Sequence, residues 1–209
     1  MGRVHTYPGK HLAVTFDTGR CIHAAECVRG LPGVFDSRAK PWVRPDEAAP
    51  EAVREVVSRC PTGALKVEGG GEAPAANEVR VQADGPLYCR GALQLLDADG
   101  SAAVQDVRMA LCRCGASANK PFCDNRHRAV GFADAGELPE TEVAAEPGSG
   151  GLEITPLAKG PLQVRGPVLI RDAAGRLRYA GGETWLCRCG ASGTKPFCDG
   201  SHREAGFEG

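Results

Sequence analysis

Two stretches of the sequence space cysteine and histidine identically, as Cys-x-Cys-x8-Cys-x3-His: Cys112, Cys114, Cys123 and His127, then Cys187, Cys189, Cys198 and His202. In an extended chain, residues two apart point to the same side, so each Cys-x-Cys pair can offer both thiolates to one metal ion. The eight-residue loop, with Ser117 or Ser192 as a turn residue, returns the third cysteine opposite that pair. The histidine, four residues on and one helical turn away, falls beside it. Soft thiolates with one imidazole suit zinc or an iron–sulfur cluster, and the spacing leaves both open.

A second constellation lies upstream, in Cys21-Ile-His-Ala-Ala-Glu-Cys27 and Cys60-Pro61. A bacterial ferredoxin run is Cys-x2-Cys-x2-Cys with a distant Cys-Pro, and here Ala24 stands where the middle cysteine belongs. Cys21, Cys27 and Cys60 then supply three ligands, matching a [3Fe–4S] cluster, and His23 is the nearest candidate for the fourth ligand of a [4Fe–4S] cluster. The tenth cysteine, Cys89, reads as a small apolar strand residue. In a reducing compartment ten cysteines read as ligands rather than disulfides, and Cys-x-Cys pairs are poorly placed to bridge each other.

The elements that must position these residues come in repeats. Gly85–Phe132 aligns with Gly160–Phe207 without a gap, offset by 75, and 24 of the 48 pairs are identical. Both copies open Gly-Pro-Leu-x-x-Arg-Gly and close Gly-Phe. Leu87–Leu96 and Leu162–Arg171 read as strands, and Met109–Cys114 and Thr184–Cys189 as a further strand in each copy. In the first part of the chain, Leu12–Phe16 and Ala64–Val67 read as strands and Asp46–Arg59 as a helix capped by Asp46, with Val53, Val56 and Val57 on one face. Two low-complexity runs divide the whole. The expected organisation is α+β: residues 1–70 a small ferredoxin-like domain, 71–78 a linker, 79–133 a first β-rich unit, 134–151 a linker, and 152–209 a second β-rich unit.

Composition agrees with small metal-stapled units. Aromatics are 5%, whereas 28 Gly and 15 Pro make up about a fifth of the chain. A net charge of −1 with dispersed Lys and Arg gives no basic patch for nucleic acid. No apolar run approaches the roughly 20 residues of a membrane span, and residues 1–10 lack a secretory apolar stretch, so a soluble, cytoplasmic protein is expected. No nucleophile–base pair, phosphate loop or carboxylate pair stands out, and an enzyme is not expected.

The string Cys187-Arg-Cys-Gly-Ala-Ser-Gly-Thr-Lys-Pro-Phe-Cys-Asp-Gly-Ser-His202 resembles the signature of the CDGSH iron–sulfur, or mitoNEET-like, family. That resemblance implies a [2Fe–2S] cluster, with Cys187 and Cys189 on the inner iron and Cys198 and His202 on the outer, more exposed one. Cys112, Cys114, Cys123 and His127 correspond in the upstream copy. Family members usually pair two units as a dimer, so two in one chain imply an intrachain pseudo-dimer in a monomer. Cys21–Leu65, with Leu31-Pro-Gly-Val-Phe-Asp36 and Pro41-Trp42, resembles the divergent mono-cluster ferredoxin domains found with CDGSH units. The chain is therefore expected to bind two [2Fe–2S] clusters and one [3Fe–4S] or [4Fe–4S] cluster and to transfer single electrons between redox partner proteins. The alternatives are a carrier or sensor that releases [2Fe–2S] to apo acceptors, and a zinc-stapled interaction module. The upstream copy has Asn125-Arg126 in place of Gly200-Ser201. Asn125 can keep the turn, and the charge of Arg126 leads to the expectation of unequal clusters, the first at the higher potential.

Overall fold

The computed structural model describes residues 2–71, 73–97, 99–140 and 148–209, which fall into two units, Met1–Glu72 and Ala73–Gly209. In the first, β1 (Val4–Pro8), β2 (Ala13–Asp17) and β3 (Leu65–Val67) form an antiparallel sheet in the order β1-β2-β3. Two helices, α1 (Glu26–Gly30) and α2 (Pro50–Ser58), complete it. The predicted valine face is present: Val53, Val56 and Val57 are buried on α2 and cluster with Val14, Val34, Phe35, Val43, Leu65 and Val67. Burying each valine contributes roughly 1.5–3 kcal/mol. The helix starts later than Asp46. Residues Pro45–Glu47 make one 3-10 turn, and α2 opens at Pro50, in the first turn, where the missing N–H of proline costs nothing.

The second unit is built on one six-stranded sheet. Its strands are β4 (Glu78–Val81), β5 (Leu87–Leu96), β6 (Ala102–Leu111), β7 (Leu152–Pro156), β8 (Leu162–Arg171) and β9 (Leu177–Leu186). The long hairpins β5–β6 and β8–β9 belong to the first and second sequence copies respectively. Between them lie the short β4 and β7, each shared by both hairpins. β4 pairs antiparallel with β5 and parallel with β8, while β7 pairs antiparallel with β8 and parallel with β5. The parallel registers are equivalent: Glu78 faces Leu169 as Glu153 faces Gln94, and Val79 faces Ile170 as Ile154 faces Leu95. A single core of Val79, Leu87, Leu93, Met109, Leu152, Ile154, Leu162, Ile170 and their neighbours therefore spans both copies.

Two sequence expectations shift. β6 and β9 end at Leu111 and Leu186, so Cys112–Cys114 and Cys187–Cys189 sit in extended loops just beyond the strands. The runs read as linkers also carry structure. Glu78 already belongs to β4, Asn77 is buried, and Leu138 packs in the core; residues 72 and 141–147 of these runs lie outside the described residues.

Asn77 ties the copies together where β5 and β8 are interrupted. Its Nδ2 donates to the carbonyls of Gly150 (2.9 Å) and Pro167 (2.8 Å), and its Oδ1 accepts from the Ala92 N–H (2.9 Å). Gly91 (φ 143°) lies so close that a Cβ there would meet Asn77. The equivalent of Asn77 in the second copy is Leu152, fully buried, so this polar clamp exists once. Asn77→Ala strands one N–H and two carbonyls. It is expected to destabilise the unit by about 1–3 kcal/mol, read as a lower denaturation midpoint at unchanged slope.

Candidate metal centres

In each copy the end of a strand and a returning loop are clamped face to face. Cys112 N–H donates to Pro121 O (2.8 Å) and Cys123 N–H to Ala110 O (2.9 Å). Cys187 N–H donates to Pro196 O (2.7 Å) and Cys198 N–H to Trp185 O (2.9 Å). Single β-bridges, Leu111 with Phe122 and Leu186 with Phe197, lock the same register. The third cysteine therefore stands opposite the first two, as the spacing predicts. Extended backbone puts Cys112 Sγ 3.8 Å from Cys114 Sγ, and Cys187 Sγ 3.8 Å from Cys189 Sγ. Cys123 Sγ lies 3.5 Å from His127 Nδ1, on the single turn α3 (Arg126–Ala129). Asn125 adopts φ 74° and Gly200 φ 91°, so the asparagine does keep the turn.

The returning loops are braced by a serine and an aspartate. Ser117 Oγ donates to Phe122 O (2.7 Å) and Ser192 Oγ to Phe197 O (2.7 Å). Asp124 accepts from Ala118 N–H (2.8 Å) and Arg126 N–H (3.1 Å). Asp199 accepts from Gly193 N–H (2.7 Å), Ser201 N–H (3.0 Å) and Ser201 Oγ (2.7 Å). The hydrogen bonds from Ser201 and Gly193 hold the Asp199 carboxyl well below its usual range. Backbone N–H groups also reach sulfur, Asn125 to Cys123 and Ala191 to Cys189, both at 3.4 Å.

Charge within the sites follows from proximity and burial. The Cys114 S–H stabilises the Cys112 thiolate, bringing it to about 6, and that thiolate pushes Cys114 upward. Burial raises Cys187, and raises Cys123 to about 11. Burial, with Arg128 and Arg113 nearby, lowers His127 and so favours the neutral imidazole a metal requires. His202 Nδ1 is buried and makes no hydrogen bond, an orphaned acceptor of the kind a metal would satisfy. Among the described residues no three His, Cys, Asp or Glu side chains gather at single-ion distance; the contacts are pairwise, Cys112 with Cys114, Cys187 with Cys189, and Cys123 with His127. Donor type, pairing and the orphaned nitrogen all fit an iron–sulfur cluster.

In the N-terminal unit Cys21, Cys27 and Cys60 line one pocket with Phe16, Trp42 and Leu65, and Ala24 is part of its wall. Burial raises Cys21 and Cys27, and the charge of Cys60 adds to both. His23 is exposed and does not line the pocket; its backbone N–H bonds to the Cys21 sulfur instead. His23 (φ 55°) and Ala25 (φ 64°) take left-handed backbone to wrap this loop around the thiols. Cys89 lies outside every site. It is buried in the sheet opposite Val79 and Met109, and burial alone pushes its thiol up to about 12.

Sequence reasoning passed over the arginine inside each Cys-Arg-Cys. It alternates away from the thiols and inserts beneath the site. Arg113 is 1% exposed, donates to Gly85 O (3.0 Å) and Gln82 O (2.6 Å), pairs with Asp134, and stacks on Phe132. Arg188 bonds Gly160 O (3.0 Å) and Leu157 O (2.7 Å) and stacks on Phe207. The Gly-Phe that closes each copy was the available signal: it supplies the ring under the guanidinium.

Residues 7–69 match the family described as a divergent 4Fe-4S mono-cluster, and residues 84–128 and 159–203 each match the iron-binding zinc finger of CDGSH type. A protein so built is an iron–sulfur protein. The chain belongs to the divergent 4Fe-4S mono-cluster family and carries two CDGSH units in tandem behind that domain. Its N-terminal unit is similar to YjdI, an uncharacterised protein of Escherichia coli strain K12. The two are 42% identical over 65 residues, covering 31% of this chain and 86% of the relative. The same figures hold for YjdI of strain O157:H7.

Because Asp199 orders the loop between two ligands without being one, Asp199→Ala is expected to speed loss of the visible chromophore to a chelator by about 10–100-fold. Asp199→Asn, which keeps one acceptor oxygen, should lie between it and wild type.

Proposed function

We propose that the protein binds two [2Fe–2S] clusters, at Cys112/Cys114/Cys123/His127 and Cys187/Cys189/Cys198/His202, and one [3Fe–4S] or [4Fe–4S] cluster at Cys21, Cys27 and Cys60. Its role is single-electron transfer between redox proteins rather than catalysis. The observation that carries this is the doubled arrangement of a Cys-x-Cys thiol pair opposite a returning cysteine, held in both copies by the same backbone hydrogen bonds. When bound, such clusters accept and return one electron at a time. The chain supplies the rest. Aspartate-braced loops limit reorganisation of the ligands, and N–H groups directed at Cys123 and Cys189 favour the more negative reduced form. The strand exchange of β4 and β7 supports an intrachain pseudo-dimer, in which one chain carries both CDGSH units without a second copy.

A second reading, a cluster carrier, is favoured by one difference between the units. Cys123 and His127 are both buried, whereas Cys198 and His202 are only partly buried, so the second unit offers its outer ligands to an acceptor more readily.

Anaerobic purification with iron and sulfide counts tests the first reading. About seven or eight irons per chain are expected, with EPR signals of two distinct two-iron species; a colourless protein holding stoichiometric zinc overturns it. Cys60→Ser should remove only the signal of the N-terminal cluster. His202→Cys separates the two roles. Electron transfer predicts a lower midpoint potential for that cluster, whereas a carrier predicts slowed delivery to an apo-ferredoxin.

A further inference from the structure

Between the two CDGSH units lies a cleft of about 400 Å³, within the size range of small-molecule sites, and one ligand cysteine from each copy, Cys114 and Cys189, lines it. Its position is fixed by backbone. The Cys-Gly turns of the two copies press together: a Cβ on Gly190 would meet Cys114 O at 2.8 Å, and one on Gly115 would meet Cys189 O. Both glycines have positive φ, 79° at Gly115 and 84° at Gly190, so a side chain at either would be strained as well as blocked.

The walls of the cleft are apolar and differ between the copies. Val130 is one of only three large hydrophobic side chains that are exposed among the described residues, at 55%, and it lines the cleft together with its smaller counterpart, Ala205. Phe207 supplies an aromatic wall and is held by the Arg188 guanidinium, 5.0 Å from its centroid. The counterpart ring, Phe132, stacks on Arg113 and does not line the cleft. A valine left in water beside a fixed ring favours an apolar, flat body that displaces that water.

The charge is also one-sided. Lys120 lines the cleft with its Nζ 5.7 Å from the Phe207 ring, near the outer limit of a cation–π contact. Among the described residues Lys120 pairs with no carboxylate, whereas its counterpart Lys195 donates to Ser192 O in its own loop at 2.5 Å. The one acidic side chain that lines the cleft, Glu208, is paired with Lys159 at 2.6 Å. An ammonium without a counter-charge, beside an aromatic wall, selects a ligand that joins a negative group to a ring.

We propose that this cleft binds an anionic aromatic small molecule, its ring packed against Phe207 and Val130 and its negative group at Lys120. The binding stands on the cleft itself. The role of the occupant rests on the reading of the chain as an electron-transfer protein, which it deepens: a molecule seated there borders a ligand of each CDGSH set, where a small redox carrier would meet both units at once.

The test is equilibrium dialysis of the anaerobically purified full chain against anthraquinone-2-sulfonate, a planar ring system bearing one negative group. Saturable, single-site binding is expected. 2-(Hydroxymethyl)anthraquinone has the ring without the charge and 1-butanesulfonate the charge without the ring; each should bind roughly tenfold more weakly or worse. Lys120→Met removes the cation and keeps an apolar stem. It should weaken binding of the sulfonated ring by roughly tenfold, about 1.4 kcal/mol, and leave binding of the uncharged ring unchanged. Val130→Asp, at an exposed position outside the core, should weaken the sulfonated ring by a similar factor, and it decides the matter if Lys120→Met does not fold. Arg128→Gln removes an exposed cation that does not line the cleft and should change none of these affinities. Wild-type affinity in either Lys120→Met or Val130→Asp, equal binding of the uncharged ring, or no saturable binding overturns the proposal. Saturable, Lys120-dependent binding to a wild-type chain that lacks two two-iron EPR signals keeps the cleft and overturns the electron-transfer reading instead.

Discussion

Thiols held in contact repel one another as soon as they ionise, so the chain itself must hold them in place against that repulsion. Here the backbone does so. In each CDGSH unit two reciprocal hydrogen bonds, between the first cysteine and the residue before Phe and between the third cysteine and the last turn of the strand, close the returning loop onto the strand end. Everything else in the unit serves that closure. The serine and aspartate stiffen the loop, the buried arginine fills the space under the thiols, and the closing phenylalanine lies under the arginine.

The second constraint is size. A single CDGSH copy has one long hairpin and too few large apolar residues to close a core. Lending β4 to the second hairpin and β7 to the first solves this by building one sheet and one core from both copies. It also places the Cys-Gly turns of the two copies in backbone contact. Carrying both copies in one chain frees each to change alone. Asn77 against Leu152, Asp134 against Gly209 and buried against partly buried outer ligands are changes that a homodimer, identical by symmetry, could not make.

Much of this was legible in the residues because its signals are local. The gapless repeat, the ligand spacing, the strands Leu87–Leu96 and Leu162–Arg171, the valine face of α2 and the positive φ at Asn125 each depend on a few neighbouring positions. What escaped depends on pairing across long separations. β4 and β7 are four- and five-residue strands next to Gly- and Pro-rich runs, and each is held on one side by a parallel partner far along the chain, 91 positions away for β4 and 59 for β7. Asp134 reads as the start of a linker until Arg113 is seen to be buried beneath it. The helix predicted from Asp46 failed for a local reason that could have been read: proline at position 50 belongs at a helix start, not within its first turns.

The N-terminal unit meets the same requirement by different means, and the difference bears on function. Its three thiols are gathered not by a strand end but by a loop bent through two left-handed residues and closed by the Cys60-Pro61 turn. Bending non-glycine residues this way costs about 1–2 kcal/mol at each, and the cost is met by packing against Trp42, whose ring lies 4.9 Å from Phe16 and 6.1 Å from both Tyr7 and Phe35. Phe16 and Trp42 of that cluster line the pocket together with Ala24, where the ferredoxin run would have a cysteine. With a methyl group there and the His23 ring turned to solvent, the pocket presents three sulfurs and an apolar remainder. A cluster seated in it is shielded on its apolar side and under-ligated by thiolate at one corner, whereas each CDGSH set offers four ligands. The chain thus holds two chemically distinct kinds of site, and the contrast between them comes from which side chain closes the fourth position.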